Sequence, residues 1–216
     1  MHTLRIGTAA VRLGRAWAFT ATELSRAAAL LELAAQLAMR APADPRADEK
    51  ILLLRDGSEV RLRPVNPSDA PLVAALHARC SPAARRSRFL SPTPRLGPGE
   101  LDALLGVPGQ AVLALTSDGG SAVAVANLDA GDSAGPGVGR CSVLVDNAWQ
   151  GRGLGTALVR RMAELATDQG LVELTGRART DDLGVTQLLR RAGLRPTAEI
   201  TDGVVHLRAP LLLPSR

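Results

Sequence analysis

Cys141-Ser142-Val143-Leu144-Val145 and the following Gln150-Gly151-Arg152-Gly153-Leu154-Gly155-Thr156 decide how this chain reads. The first run is short and apolar, as in a buried strand. Gly151 to Gln169 reads as a helix, with Leu154, Leu158, Met162 and Leu165 along one stripe. A helix N-terminus carries unpaired N–H groups and partial positive charge, so it binds phosphate. Gly151, Gly153 and Gly155 leave the backbone bare for a close pyrophosphate approach. Glycine also permits the positive φ at which successive N–H groups converge on an anion. Arg152 adds a positive charge, Gln150 an amide donor and Thr156 a hydroxyl. Glycines before a helix are also ordinary turn chemistry, so the spacing alone is a weak signal. A dinucleotide fold needs its third glycine one position later. A P-loop needs Gly-Lys before the hydroxyl residue, and the only lysine here is Lys50.

Outward from the turn, LVELTGRAR (171–179) reads as a strand. Gly184 to Arg191 reads as a helix closed by Gly193, and two strand runs surround Asp202-Gly203. Upstream, two strand-like runs flank Asp56-Gly57, and AVLALT and SAVAVANL flank Ser117 to Gly120. Asn66-Pro67-Ser68-Asp69 begins a helix, SPAARRSRFL reads as a second and GPGELDALLG as a third, while 131–139 is a glycine-rich loop. The order is that of an α+β fold with a mixed sheet. Residues 1–50 stand apart as an N-terminal helical extension and linker. Thr20 to Glu23 fits a capping box before an Ala- and Leu-rich helix, and 41–50 is rich in Pro and charge. This helix packs on the main domain or forms a homodimer contact with a second copy.

Composition excludes several classes. Arg12 and Arg15 interrupt any signal-like apolar run, and no stretch has the roughly 20 apolar residues of a membrane span. The expectation is a cytoplasmic protein with no membrane partner. The net charge of +5 rests almost wholly on arginine. With two Phe, two Trp and no Tyr, a base-stacking platform is missing, so no nucleic-acid partner is expected. Cys80 and Cys141, with three separated histidines, make neither a disulfide framework nor a metal site. Cys141 reads as a small core residue rather than a nucleophile.

The turn in its setting resembles the GNAT acetyltransferases, whose phosphate turn is Gln/Arg-x-x-Gly-x-Gly/Ala between an apolar strand and a long helix. Gln150 to Gly155 matches each fixed position. V-R-L-R-P-V-N-P-S-D-A at 60–70 is similar to the family's first strand and helix start, and L-L-R-R-A-G-L at 188–194 to the end of its fourth helix. C-S-P-A-A-R-R-S-R-F-L at 80–90 is similar to a segment of the family's bacterial protein-lysine acetyltransferases. The resemblance implies a GNAT acyltransferase domain over 51–213. Its mostly antiparallel sheet is splayed between strands 4 and 5, the strand before the turn and the one at 171–179, with helices on its faces and an extra N-terminal helix.

By the same resemblance the chain is an N-acetyltransferase that uses acetyl-CoA as co-substrate and no metal. Val143, Leu144 and Val145 pair with the pantetheine arm, and Gln150, Gly151, Arg152, Gly153, Leu154, Gly155 and Thr156 hold the pyrophosphate. A primary amine, either a protein lysine or a small amine, attacks the thioester directly. The family's usual glutamate base aligns with Arg140, which cannot accept a proton at neutral pH. Its usual Tyr acid aligns near Leu188 or Leu189, and its Asn at the last helix start with Asp182. Glu173, Asp129 and His206 are replacement base candidates on or beside strands, each of which reads first as a solvated surface residue. The alternative reading is a non-catalytic acyl-CoA-binding regulatory module.

Overall fold

Alternation along the strands sorts side chains to two faces, and that sorting builds the fold. The computed structural model of the protein describes residues 2–6, 9–13, 19–40, 49–91, 96–106, 110–130, 135–182 and 184–211. The chain divides into two compact units, Met1–Asp44 and Pro45–Arg216. The first holds an antiparallel hairpin, β1 (His2–Ile6) and β2 (Ala9–Leu13), and helix α1 (Ala21–Arg40). The capping box is formed: Glu23 N–H donates to Thr20 Oγ1 at 3.3 Å, and Thr20 N–H donates to Glu23 Oε2 at 2.8 Å. The hairpin was not legible in the sequence, where arginines interrupt its apolar residues.

The second unit is an eight-stranded sheet in the order β3-β4-β5-β6-β7-β8-β10-β9. Its strands are β3 (Lys50–Leu53), β4 (Glu59–Pro64), β5 (Ala111–Thr116), β6 (Ala122–Asp129), β7 (Val138–Val145), β8 (Glu173–Arg179), β9 (Thr197–Thr201) and β10 (Val204–Pro210). All neighbours are antiparallel except β7 and β8. Parallel neighbours need a crossover, which α5 (Leu154–Asp168) supplies. The other helices are α2 (Ala70–Arg79), α3 (Pro82–Phe89), α4 (Pro98–Leu105) and α6 (Gly184–Arg191). Strand β7 begins at Val138, so the glycine-rich loop read over 131–139 gives its last two residues to the sheet.

Strands β5 and β6 are apolar at nearly every position because both their faces are covered. Val112, Ala114, Ala124 and Ala126 pack with Leu154, Leu158, Met162 and Ala166 of α5. Leu113, Leu115 and Val125 pack on the opposite side with Val73 and Leu76 of α2 and Leu104 of α4. Each buried leucine contributes roughly 1.5–3 kcal/mol. A smaller cluster, Val159, Ala178, Leu189 and Leu207, seats α6 against α5 and the C-terminal strands. Arg63 on β4 makes a two-pronged pair with Asp69, both bonds 2.7 Å, and Asp69 also accepts from Asn66 N–H at 2.8 Å. This ties the start of α2 to the sheet. Among the described residues no helix is long and apolar enough to cross a membrane.

Candidate functional site

Strands β7 and β8 pair only over Val138–Arg140 with Glu173–Thr175, then diverge. Gly137 O and Gly139 O face β8, the second accepting from Thr175 Oγ1 at 3.3 Å. Alternation therefore turns the polar groups of Cys141, Val143 and Val145 into the gap as well. Those of Leu144 face β6, against the expectation that all three residues of 143–145 present their backbone. The Leu144 side chain is buried in the α2 core.

Asp146 starts the link to the turn. Its Oδ1 accepts from Ala148 N–H at 3.1 Å, and its Oδ2 accepts from Arg79 Nε at 2.9 Å. Asn147 Oδ1 accepts from Ser81 N–H at 2.7 Å, which fixes the α2–α3 corner beside the turn. Gly151 and Gly153 have φ of 76° and 94°, which favours glycine at both. Gly153 is the N-cap of α5, and the first intrahelical bond is Ala157 N–H to Gly153 O at 3.1 Å. The amides of Leu154, Gly155 and Thr156 precede that bond, as an anion cradle requires.

Several turn residues serve differently from their sequence reading. Gln150 spends its amide on Val145 O at 3.0 Å, closing the open end of β7. Arg152 pairs with Asp56 at 2.8 Å and lies over the Trp149 ring at 5.0 Å, so its charge pins the β3–β4 hairpin to the turn. The Leu154 side chain is buried in the core. Gly155 packs closely on α6: an added Cβ would meet Leu188 Cδ1 at 3.3 Å. The cation over the turn is Arg55, whose Cγ and Nε lie 3.5 Å from where a Gly153 Cβ would stand. Sequence reading missed it, although it directly precedes the Asp56-Gly57 hairpin turn.

Arg55, the turn, Val143–Val145, α3 and α6 line a groove of about 500 Å³. A second cavity, of about 450 Å³, lies between α3, α4 and the sheet. Ser87, Val143, Val185 and Leu188 line both, so the two meet at the splay. At this junction Ser87 Oγ donates to Asp182 Oδ2 at 2.5 Å, and Asp182 Oδ1 accepts from Gly184 N–H at 3.2 Å at the start of α6.

The strand register puts Asp129, Arg140, Glu173 and His206 on one face of the sheet. Of the three base candidates only Asp129 lines the second cavity, and its carboxylate is paired with Arg140 at 2.5 Å. Glu173 is held by Arg208 at 2.7 Å, outside both cavities, and His206 is exposed beyond them. Cys141 lines the second cavity, but burial pushes its thiol up to about 12, so it is no nucleophile at neutral pH. Among the described residues no group of three side chains could hold a metal ion.

The sequence pattern of the acetyltransferase (GNAT) family matches residues 77–194. An acetyltransferase of Pseudomonas aeruginosa is 28% identical over 130 residues, 59% of this chain and 70% of that protein. Among solved structures, the GNAT domain of PAT from S. lividans is similar with a TM-score of 0.69 at 24% identity, covering 77% of this chain and 99% of that one. An acetyltransferase of Salmonella typhimurium, solved with its cofactor acetyl-CoA, has a TM-score of 0.54 at 18% identity, covering 73% of this chain and 95% of that one. The structural likenesses carry the fold. The family pattern runs over more than half of the chain and includes the splayed strands and the glycine turn. The chain belongs to the GNAT family of acetyltransferases.

Proposed function

We propose that the protein transfers the acetyl group of acetyl-CoA to a primary amine by direct attack, with residues 51–213 as the acyltransferase domain. The observation that carries this reading is the continuous path from the glycine turn, along the open side of β7, into a second cavity. The pyrophosphate sits on the turn amides under Arg55, and the pantetheine arm bonds to the backbone of Val143 beside Val145. The thioester then reaches the junction, and the second cavity receives the amine.

Attack forms the C–N bond of a tetrahedral intermediate, and its collapse breaks the C–S bond. The amine must lose a proton, and the departing thiolate must gain one. Ser87 is suited to this relay, because its hydroxyl can accept from the amine while donating to Asp182. Asp129 and Glu173 are held by arginines, so they are less suited. Calorimetric titration with acetyl-CoA, followed by free-CoA release with a panel of amines, tests the reading. Absence of both binding and release sinks it.

The alternative is an acyl-CoA-binding module without turnover. It is favoured by Arg140 at the usual glutamate position and by the absence of Tyr. Tight binding with no release on any amine supports it, and activity gained by Arg140→Glu supports it further.

A further inference from the structure

Arg88 is a half-buried cation that the reaction above does not use. It lies in the last turn of α3 and lines the second cavity. Its Nη2 donates to Asn127 Oδ1 at 3.0 Å and to Ala103 O at 3.4 Å. Its Nε is buried with no hydrogen-bond partner, and Nη1 makes no bond to the described residues. Asn127 is neutral and fixed in orientation, since its Nδ2 donates to Leu104 O at 2.8 Å. The Phe89 ring lies 5.2 Å from the Arg88 Cζ. No carboxylate pairs with Arg88 among the described residues. Burial lowers the guanidinium to about 10, and Arg140 acts in the same direction, so it remains charged at neutral pH.

A cation whose Nε is cut off from water without a partner, and which is otherwise held by neutral dipoles, weakens a fold, so its presence in a cavity points to a ligand. The cavity selects an anion: Arg88, Arg140 and Arg177 line it against Asp102 and Asp129. Asp129 is matched by Arg140. A guanidinium with free N–H groups fits a planar carboxylate. Ser87, the chain neighbour of Arg88, stands at the junction with the CoA groove. An anion on Arg88 is therefore bound close to where an amine must react. A protein lysine enters ammonium first on an apolar stem and brings no anion to this depth. A free amino acid carries its carboxylate one carbon from its amine. We propose that the acceptor is a free amino acid whose carboxylate is bound by Arg88 while its amine faces the junction. This rests on the acetyl-transfer reading above.

The test follows CoA release from acetyl-CoA with the free amino acids and with their primary amides, which keep the amine and lose the anion. Calorimetry measures binding of the same amino acids to the CoA-loaded protein. For the best amino acid, kcat/KM is expected to exceed that of its amide by at least about tenfold, the scale of a charge-assisted hydrogen bond. In Arg88→Gln this ratio falls to within about twofold of one and the calorimetric signal disappears. Acetyl-CoA affinity reports that the variant is folded. If Arg88→Gln does not fold, Arg88→Lys, which keeps the charge and loses the fork, and the wild-type acid–amide ratio decide. Equal turnover of acid and amide, or a preference that survives Arg88→Gln, overturns the proposal and leaves acetyl transfer standing. Amino-acid binding that depends on Arg88, without turnover of any amine, keeps the carboxylate site and removes the acetyl-transfer reading. Neither binding nor turnover overturns both.

Discussion

Replacing Gly153 by alanine separates two effects that the turn combines. Gly153 sits at φ 94° and ψ −5°, where an L-residue costs about 1–2 kcal/mol. At roughly 2–4 °C per kcal/mol for a domain of this size, the Tm falls by about 2–8 °C. No clash adds to this, because the new Cβ meets only the Arg55 side chain, at 3.5 and 3.6 Å. That same space is where an anion bonded to both Arg55 and the turn amides has to lie. A methyl group there removes about one charge-assisted hydrogen bond, worth about 1.5–3 kcal/mol, so the acetyl-CoA Kd rises roughly ten- to a hundredfold. Gly170→Ala is the control. Gly170 follows α5 at φ 77° with nothing within 4 Å of an added Cβ, and it lines neither cavity. Thermal melts and calorimetric titrations of both variants should show similar losses of Tm but weakened binding only for Gly153→Ala. Unchanged affinity in Gly153→Ala refutes the pyrophosphate site. Equal affinity losses in both variants show that the effect is one of stability alone.

Ser87→Ala should lower kcat about a hundredfold, the scale of a lost proton relay, with acetyl-CoA affinity unchanged; an undiminished kcat removes the relay. Asp69→Ala strands Arg63, whose side chain is only 10% exposed, and should cost about 3–5 kcal/mol in urea unfolding. A loss below about 1 kcal/mol marks the pair as incidental. Burial raises the Cys80 thiol from 9.0 to about 11 and the Cys141 thiol to about 12. Above pH 9 unfolding therefore releases protons, so stability should decline as pH rises toward 11, and Cys80→Ala should flatten that slope in pH-dependent melts. His77 is shifted the other way, below 6.5, chiefly by burial and then by Arg85. Unfolding takes up a proton as pH drops through 6.5, so stability should fall there, and His77→Leu should remove that dependence.

The parts of the site legible in the sequence were those set by local chemistry. Glycines at Gly151 and Gly153 announce positive φ, and an apolar run before them announces a buried strand, because both properties belong to consecutive residues. The division of labour within the turn was not legible. Arg152 and Gln150 are donors on paper, but Asp56 and the Val145 carbonyl claim them, and Asp56 is distant in sequence. Arg55 stands over the turn because its backbone N–H bonds to Arg152 O at 3.2 Å, which no periodicity reveals. The three base candidates share only a position on or beside strands. Register placed them on one face, but the neighbouring arginines Arg140 and Arg208 engaged two of them. Arg88 reads in sequence as one more basic residue of an amphipathic helix. Its place on the cavity wall arises only when α3 closes over β7 and β8.

The divergence of β7 from β8 has a mechanical consequence. The five strands from β3 to β7 and the three from β8 to β9 share only three ladder positions. Strain passing between these two plates crosses that short hinge or travels through α3 and α5, which touch both β7 and β8. An internal edge of this kind can breathe without unfolding either plate. The Val143 amide should then exchange with solvent hydrogen faster than the adjacent Leu144 amide, which faces β6. An occupant that hydrogen-bonds along the edge acts as a strut, slowing that exchange and making the plates move as one body.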